Sequence, residues 1–170
     1  MSVIVICGLN GSGKTTLGKA LADELNYKFL NDEDYYFLES EIPFSESRTD
    51  EEAREYIISY IEKHKNVVLT ATRGDLGDKI NSLYDCVVYI SAPVELRLSR
   101  IKNREVERFG ARVLPGGDMY KKQNEFHEFV KTRTTEKIEN WLKTISCKII
   151  KLDGTKPVEY NVNKIKFGCK

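Results

Sequence analysis

Val3-Ile4-Val5-Ile6-Cys7-Gly8-Leu9-Asn10-Gly11-Ser12-Gly13-Lys14-Thr15 is the stretch on which the reading of this chain turns. Its opening run, Val3 to Cys7, is continuously apolar and mostly β-branched, the pattern of a strand covered on both faces. The next segment, Gly8 to Thr15, satisfies G-x-x-x-x-G-K-[ST] without a mismatch, and a helical pattern with Leu17, Leu21 and Leu25 on one face follows it. Buried strand, glycine turn and amphipathic helix form the context in which this pattern cradles nucleotide phosphates. The glycines let the backbone turn tightly and aim successive N–H groups at phosphate oxygens, and the helix adds the positive end of its dipole. Lys14 reaches toward the β- and γ-phosphates, and Thr15 offers a hydroxyl to Mg²⁺. The expected small molecules are ATP and Mg²⁺, with Gly8, Asn10, Gly11, Ser12, Gly13, Lys14, Thr15 and Thr16 around the phosphates.

Outward from that segment, apolar runs alternate with helical spacing. Further strands are expected at Tyr27–Leu30, Val67–Leu69, Cys86–Ile90 and Cys147–Ile150. Helices are expected at Lys14–Asn26, at Asp50–Lys63 with Thr49 and Glu52 as a capping box, and at Pro93 to about Arg108 with proline leading. A long, broken helix is expected at Met119–Thr144 and a last one at Pro157–Ile165. The alternation predicts a doubly wound α/β domain with about five parallel strands and helices on both faces, one domain over residues 1–170. Two stretches interrupt it, Asn31–Thr49 and Glu105–Asp118, and loops of that length are usually lids or binding elements.

Composition narrows the function. The 170 residues carry a net charge of +1, with 41% hydrophobic and 31% charged residues. Such a balance gives no basic field for nucleic acid or a membrane surface. No segment reaches the ~18 apolar residues of a membrane span, and Met1-Ser2-Val3-Ile4 lacks the charged start of a signal peptide. Cys7, Cys86, Cys147 and Cys169 form no C-x-x-C pair and have no histidine nearby, so they read as reduced, mostly core residues of a cytoplasmic protein. The expected partner is a small-molecule phosphate acceptor, not a nucleic acid, and the expected state is a monomer or simple homodimer.

The phosphate pattern is shared by several classes of protein. A regulatory GTPase needs N-K-x-D, and Asn163-Lys164 is followed by Ile165 and Lys166. A motor or AAA-type ATPase ends a later strand in an acid, whereas Val67-Val68-Leu69 runs into Thr70-Ala71-Thr72 and the next strand into Ser91-Ala92. What remains resembles the shikimate kinase, gluconate kinase and adenylate kinase group over most of the chain. The order is the same: phosphate loop, acceptor loop, third-strand arginine, arginine-bearing lid, fifth-strand turn. The resemblance implies a three-layer P-loop NTPase fold with an acceptor region at 31–65 and a lid at 105–118.

The same resemblance assigns roles. Asp32-Glu33-Asp34 is similar to the D-x-D of shikimate and gluconate kinases, which would make Asp32 a water-mediated Mg²⁺ ligand and Asp34 the acceptor's base. Arg73 would grip acceptor, with Arg54 beside it. Arg100 would stack on adenine and Arg104 would meet the γ-phosphate, with Arg112 closing over substrate. Arg133 is a further phosphate candidate, whereas Arg97 and Lys102 read as solvated helix charges. Asp118 reads as the N-cap of the next helix, and Asp153-Gly154-Thr155 resembles a turn that cups adenine. The implied activity is transfer of the γ-phosphate of ATP to a hydroxyl of a small metabolite, with Lys14, Asp34 and Arg104 catalytic. The alternatives are a nucleoside monophosphate kinase and an ATP-binding module without transfer.

Overall fold

The computed structural model describes residues 1–38 and 45–168, so part of the expected acceptor region and Cys169 lie outside the described residues. The opening strand, β1 (Ser2–Cys7), is central to a five-stranded sheet with β2 (Lys28–Leu30), β3 (Asn66–Ala71), β4 (Cys86–Ser91) and β5 (Lys148–Asp153). All pairings are parallel and the order is β2-β3-β1-β4-β5. The chain therefore steps outward from β1 in both directions. The gap between β1 and its neighbours at their carboxyl ends is where such sheets take ligands.

Continuous apolarity in β1 has its reason in the two faces. Val3, Val5 and Cys7 pack on one side, with Ala53, Ile57, Ile61, Ile138, Trp141 and Leu142. Ile4 and Ile6 pack on the other, with Leu17, Leu21, Val162 and Ile165. Helices α1 (Lys14–Leu25) and, last in the chain, Val158–Gly168 cover the second face, and the helices Asp50–His64 and Glu136–Leu142 cover the first. This is the expected three-layer arrangement. In chain order the remaining helices are α2 (Asp32–Tyr36), α3 (Asp50–His64), α4 (Asp78–Asn81), α5 (Val94–Phe109), α6 (Tyr120–Thr132), α7 (Glu136–Leu142) and α8 (Val158–Gly168).

Local signals act as read. Thr49 Oγ1 accepts from the Glu52 N–H at 3.2 Å while Glu52 Oε2 accepts from the Thr49 N–H at 2.8 Å, the reciprocal cap that starts α3. The long helical pattern breaks at 133–135 into α6 and α7. Four details differ from expectation. Residues 32–36 form α2 where a loop is expected, and α4 is an unexpected single turn. The first part of the expected lid, 105–109, belongs to α5, and Gly110–Val113 follows as a 3₁₀ turn. The N-cap of α6 is Met119, not Asp118, because the Asp118 carboxylate is held by Arg112 at 2.8 Å. Cys7 and Cys86 are buried. Among the described residues no helix is long and apolar enough to cross a membrane.

Candidate active site

The turn after β1 is shaped by contacts that only hydrogen in place of a side chain allows. Gly11 has φ +79°, and a Cβ there would lie 2.4 Å from the Arg97 carbonyl oxygen. A Cβ on Gly8 would lie 2.2 Å from the Ile90 carbonyl oxygen. The loop is thus pressed between the exit of β4 and the first turn of α5. Ser12 is 1% exposed and its hydroxyl has no partner among the described residues. An unsatisfied buried hydroxyl inside a ring of amides fits an anion's oxygen.

The loop opens into a cavity of about 1220 Å³. Lys14 is buried at its floor, and its Nζ lies 3.8 Å from Asp32 Oδ2. Burial pushes the Lys14 pKa below its ordinary value; Asp32 acts in the opposite direction, while Arg104 and Arg133 add to the depression. A lysine poised in this way gains most from an incoming polyanion.

Asp32 is positioned by the end of β3. Its N–H donates to Thr70 Oγ1 at 3.0 Å, and its Oδ2 accepts from Thr72 Oγ1 at 3.1 Å. Asn31 Oδ1 accepts from both Thr15 Oγ1 and Thr70 Oγ1, each at 3.1 Å. Thr70 and Thr72 carry no signal of their own in the sequence except as the residues standing where an acid is missing. The carboxylate comes instead from the start of α2, next to β2, and the β3 hydroxyls hold it. Thr15 and Asp32 are hard oxygen donors of the kind Mg²⁺ takes alongside water and phosphate, so the residues fit that ion. Among the described residues no cluster of three or more His, Cys, Asp or Glu side chains could hold a metal by itself.

Asp34 departs from its expected place. It is exposed, it is absent from the cavity wall, and its Oδ2 accepts from the Asn31 N–H at 3.4 Å in a capping box. The cause is helical: residues two apart on a helix point about 200° apart, whereas in an extended loop they share a side. Glu33 lines the cavity in its stead, ion-paired to Arg108 at 3.0 Å.

The arginines divide. Arg54, Arg73, Arg100, Arg104 and Arg133 all line the cavity. Arg54 Nε donates to the Leu76 carbonyl at 3.1 Å. Arg100 donates to the carbonyls of Ser12 at 3.2 Å and Gly154 at 2.9 Å, tying the phosphate loop to the turn after β5. Arg133 donates to Asn10 Oδ1 at 3.0 Å. Arg112 is a correction: it grips Asp118 with two nitrogens at 3.1 and 2.8 Å and does not reach the cavity. Six residues of separation across a tight turn make that local pair easier to form than a reach across the cleft. Asp153 and Thr155 are also displaced from the wall. The Asp153 carboxylate accepts from the Thr155 N–H at 2.8 Å, and Gly154, Lys156, Val158 and Asn161 face the cavity.

Arg97 is the clearest miss. It is 5% exposed and donates to the Asn10 carbonyl at 3.3 Å. Its i, i+4 spacing with Ile101 and Glu105, all buried along α5, is the signal that could have found it. Glu105 in turn meets His127 of α6 at 2.7 Å inside the protein, a pair nothing in either residue's neighbourhood announces.

A family described as AAA domain matches residues 4–112, from within β1 to the 3₁₀ turn after α5. The uncharacterized protein YqaC of Bacillus subtilis (strain 168) is 29% identical over 170 residues, covering 95% of this chain and 94% of that one. A cytidylate kinase of Ignicoccus hospitalis is 34% identical over 113 residues, 62% of this chain and 66% of that enzyme. Among solved structures, shikimate kinase from Aquifex aeolicus superposes with a TM-score of 0.56 at 19% identity, over 97% of this chain and 94% of that one. That likeness shows the three-layer P-loop NTPase fold.

Proposed function

The chain belongs to the AAA-domain family, although β3 and β4 run out without the acid of an AAA-type ATPase, and we propose that it is an ATP-dependent kinase acting on a hydroxyl of a small metabolite. The observation that carries the reading is Asp32 beside Lys14, 3.8 Å apart in the cavity that the phosphate loop floors. Thr70 and Thr72 hold that carboxylate in place. The acceptor region within 31–65 and the lid arginines of α5 complete one domain.

With Asp34 turned out of the cleft, the base role passes to Asp32. The loop amides, Lys14 and Arg104 hold the γ-phosphate, and Arg100 holds the loop against the base-side turn. When bound, Mg²⁺ would neutralise charge on the phosphates, with Thr15 as a protein oxygen and Asp32 reached through water. The acceptor oxygen forms its bond to the γ-phosphorus as the bond from that phosphorus to the bridging oxygen of ADP breaks. The hydroxyl proton passes to the Asp32 carboxylate, and Lys14 and Arg104 stabilise the charge moving to ADP.

A nucleoside monophosphate acceptor is a second reading, favoured by Arg54 and Arg73 on the cavity wall and by the cytidylate kinase relative. The deciding experiment is a screen of sugars, polyols, nucleosides and nucleoside monophosphates for ADP release above background. A hydroxyl-only hit supports the first reading and a monophosphate-only hit the second. Bound ATP analogue with no transfer to any acceptor supports a binding module.

A further inference from the structure

A second cavity, of about 280 Å³, opens between the phosphate loop, the exit of β4 and the bend that separates α6 from α7. Arg97 faces it and is absent from the wall of the large cavity. Arg133 lines both. Among the described residues neither arginine is ion-paired with a carboxylate. Their acceptors are the two oxygens of a single residue, the Asn10 carbonyl and the Asn10 side chain. Burial lowers both pKa values, most of all through lost hydration, and for Arg133 the charges of Arg73 and Arg97 add to it. The charge of Glu95, short of an ion pair, acts on Arg97 in the opposite direction, and the Glu139 carboxylate accepts from the Thr135 hydroxyl at 2.7 Å.

Arg97 as a residue is 5% exposed, and a guanidinium partly withdrawn from water gains from a counter-charge, of which a neutral carbonyl supplies only part. Nucleotide phosphates in the large cavity compensate Lys14 and Arg104, but Arg97 does not border that space. Ser12, whose buried hydroxyl lacks a partner, also lines the second cavity.

We propose that this second cavity is an oxyanion site, taking one phosphate-type group on Arg97, with Arg133 completing it. The group is either free inorganic phosphate or the phosphate of a small phosphoester. The planar guanidinium offers paired donors suited to such oxygens. The site does not depend on the kinase reading, since nothing in it requires transfer.

The test is equilibrium dialysis of labelled inorganic phosphate, with glycerol phosphate in a parallel arm, against protein saturated with a non-hydrolysable ATP analogue and Mg²⁺. The wild type should bind one phosphate per chain beyond the nucleotide, and Arg97→Met should bind none. The tighter arm identifies the source of the phosphate. Wild-type protein that binds neither probe overturns the proposal, as does Arg97→Met binding like the wild type. If the analogue fails to fill the cleft, the nucleotide reading fails separately; the wild type should still bind one phosphate more than Arg97→Met. Should Arg97→Met not melt cooperatively, Arg97→Lys keeps the charge and loses the paired donors. It should weaken phosphate at least ~10-fold, and unchanged affinity there sinks the site.

Discussion

Replacing Asp32 with Asn tests both the chemistry and the electrostatics of the cleft. The side chain keeps its shape and an oxygen for Thr72, but the negative charge 3.8 Å from Lys14 Nζ disappears. At an effective dielectric near 20, a unit pair at this separation interacts by roughly 4 kcal/mol, an upper bound. The Asp32 side chain is 23% exposed, so solvent screens part of that energy. Lys14 already titrates below its ordinary value because it is buried, and the opposite charge of Asp32 works against that fall. Bound phosphates favour the charged lysine, so nucleotide binding above the free protein's Lys14 pKa must take up a proton. Affinity therefore falls as pH rises through that pKa, and without Asp32, whose charge raises it, the fall should begin at lower pH.

Two measurements check this. Calorimetric binding of a non-hydrolysable ATP analogue between about pH 6 and 10 follows the alkaline limb, and ADP release follows turnover. Turnover should drop roughly 100- to 10,000-fold, the usual worth of a positioned base, with analogue affinity at neutral pH retained. Unchanged turnover would remove Asp32 from the chemistry. An alkaline limb that stays in place would refute the Lys14 coupling.

Gly11→Ala places a methyl 2.4 Å from the Arg97 carbonyl at φ +79°. A shift of the loop and about 1–2 kcal/mol for the left-handed backbone should lower Tm by several degrees and abolish analogue binding, and a variant that binds normally would contradict the loop's fixed path. Arg100→Ala removes the links to Ser12 and Gly154; at about 1.5–3 kcal/mol for bonds to a charged donor, analogue affinity should weaken ~10- to 100-fold by titration. Leu21→Ala, at a fully buried site between α1 and the sheet, should cost about 2–5 kcal/mol in denaturant unfolding and leave nucleotide affinity unchanged. Arg112→Ala should leave turnover within a factor of about two, because its Asp118 pair is solvent-exposed and away from the cavity; a large loss would return it to the lid.

Residue type and local spacing were enough to place β1, the phosphate loop, α1 and the cap of α3. Each rests on neighbours within a few positions: a β-branched run, glycines before Lys14-Thr15, and Thr49 with Glu52. The same holds for the parallel sheet, because runs apolar on both faces have no other stable home. Side-chain direction is a different kind of fact. Asp32 and Asp34 look equivalent until α2 turns one inward and the other out. Arg97 and Arg112 are both arginines in a basic stretch, yet the α5 surface facing the phosphate loop takes Arg97 inside, while a turn six residues long pairs Arg112 with Asp118. The sequence determined that a nucleotide's phosphates have a cradle here, since that geometry is written in contiguous residues. Only the tertiary structure decided which charges face it, because facing depends on elements from distant parts of the chain: Thr72 for Asp32, Gly154 for Arg100, and Asn10 for Arg97 and Arg133.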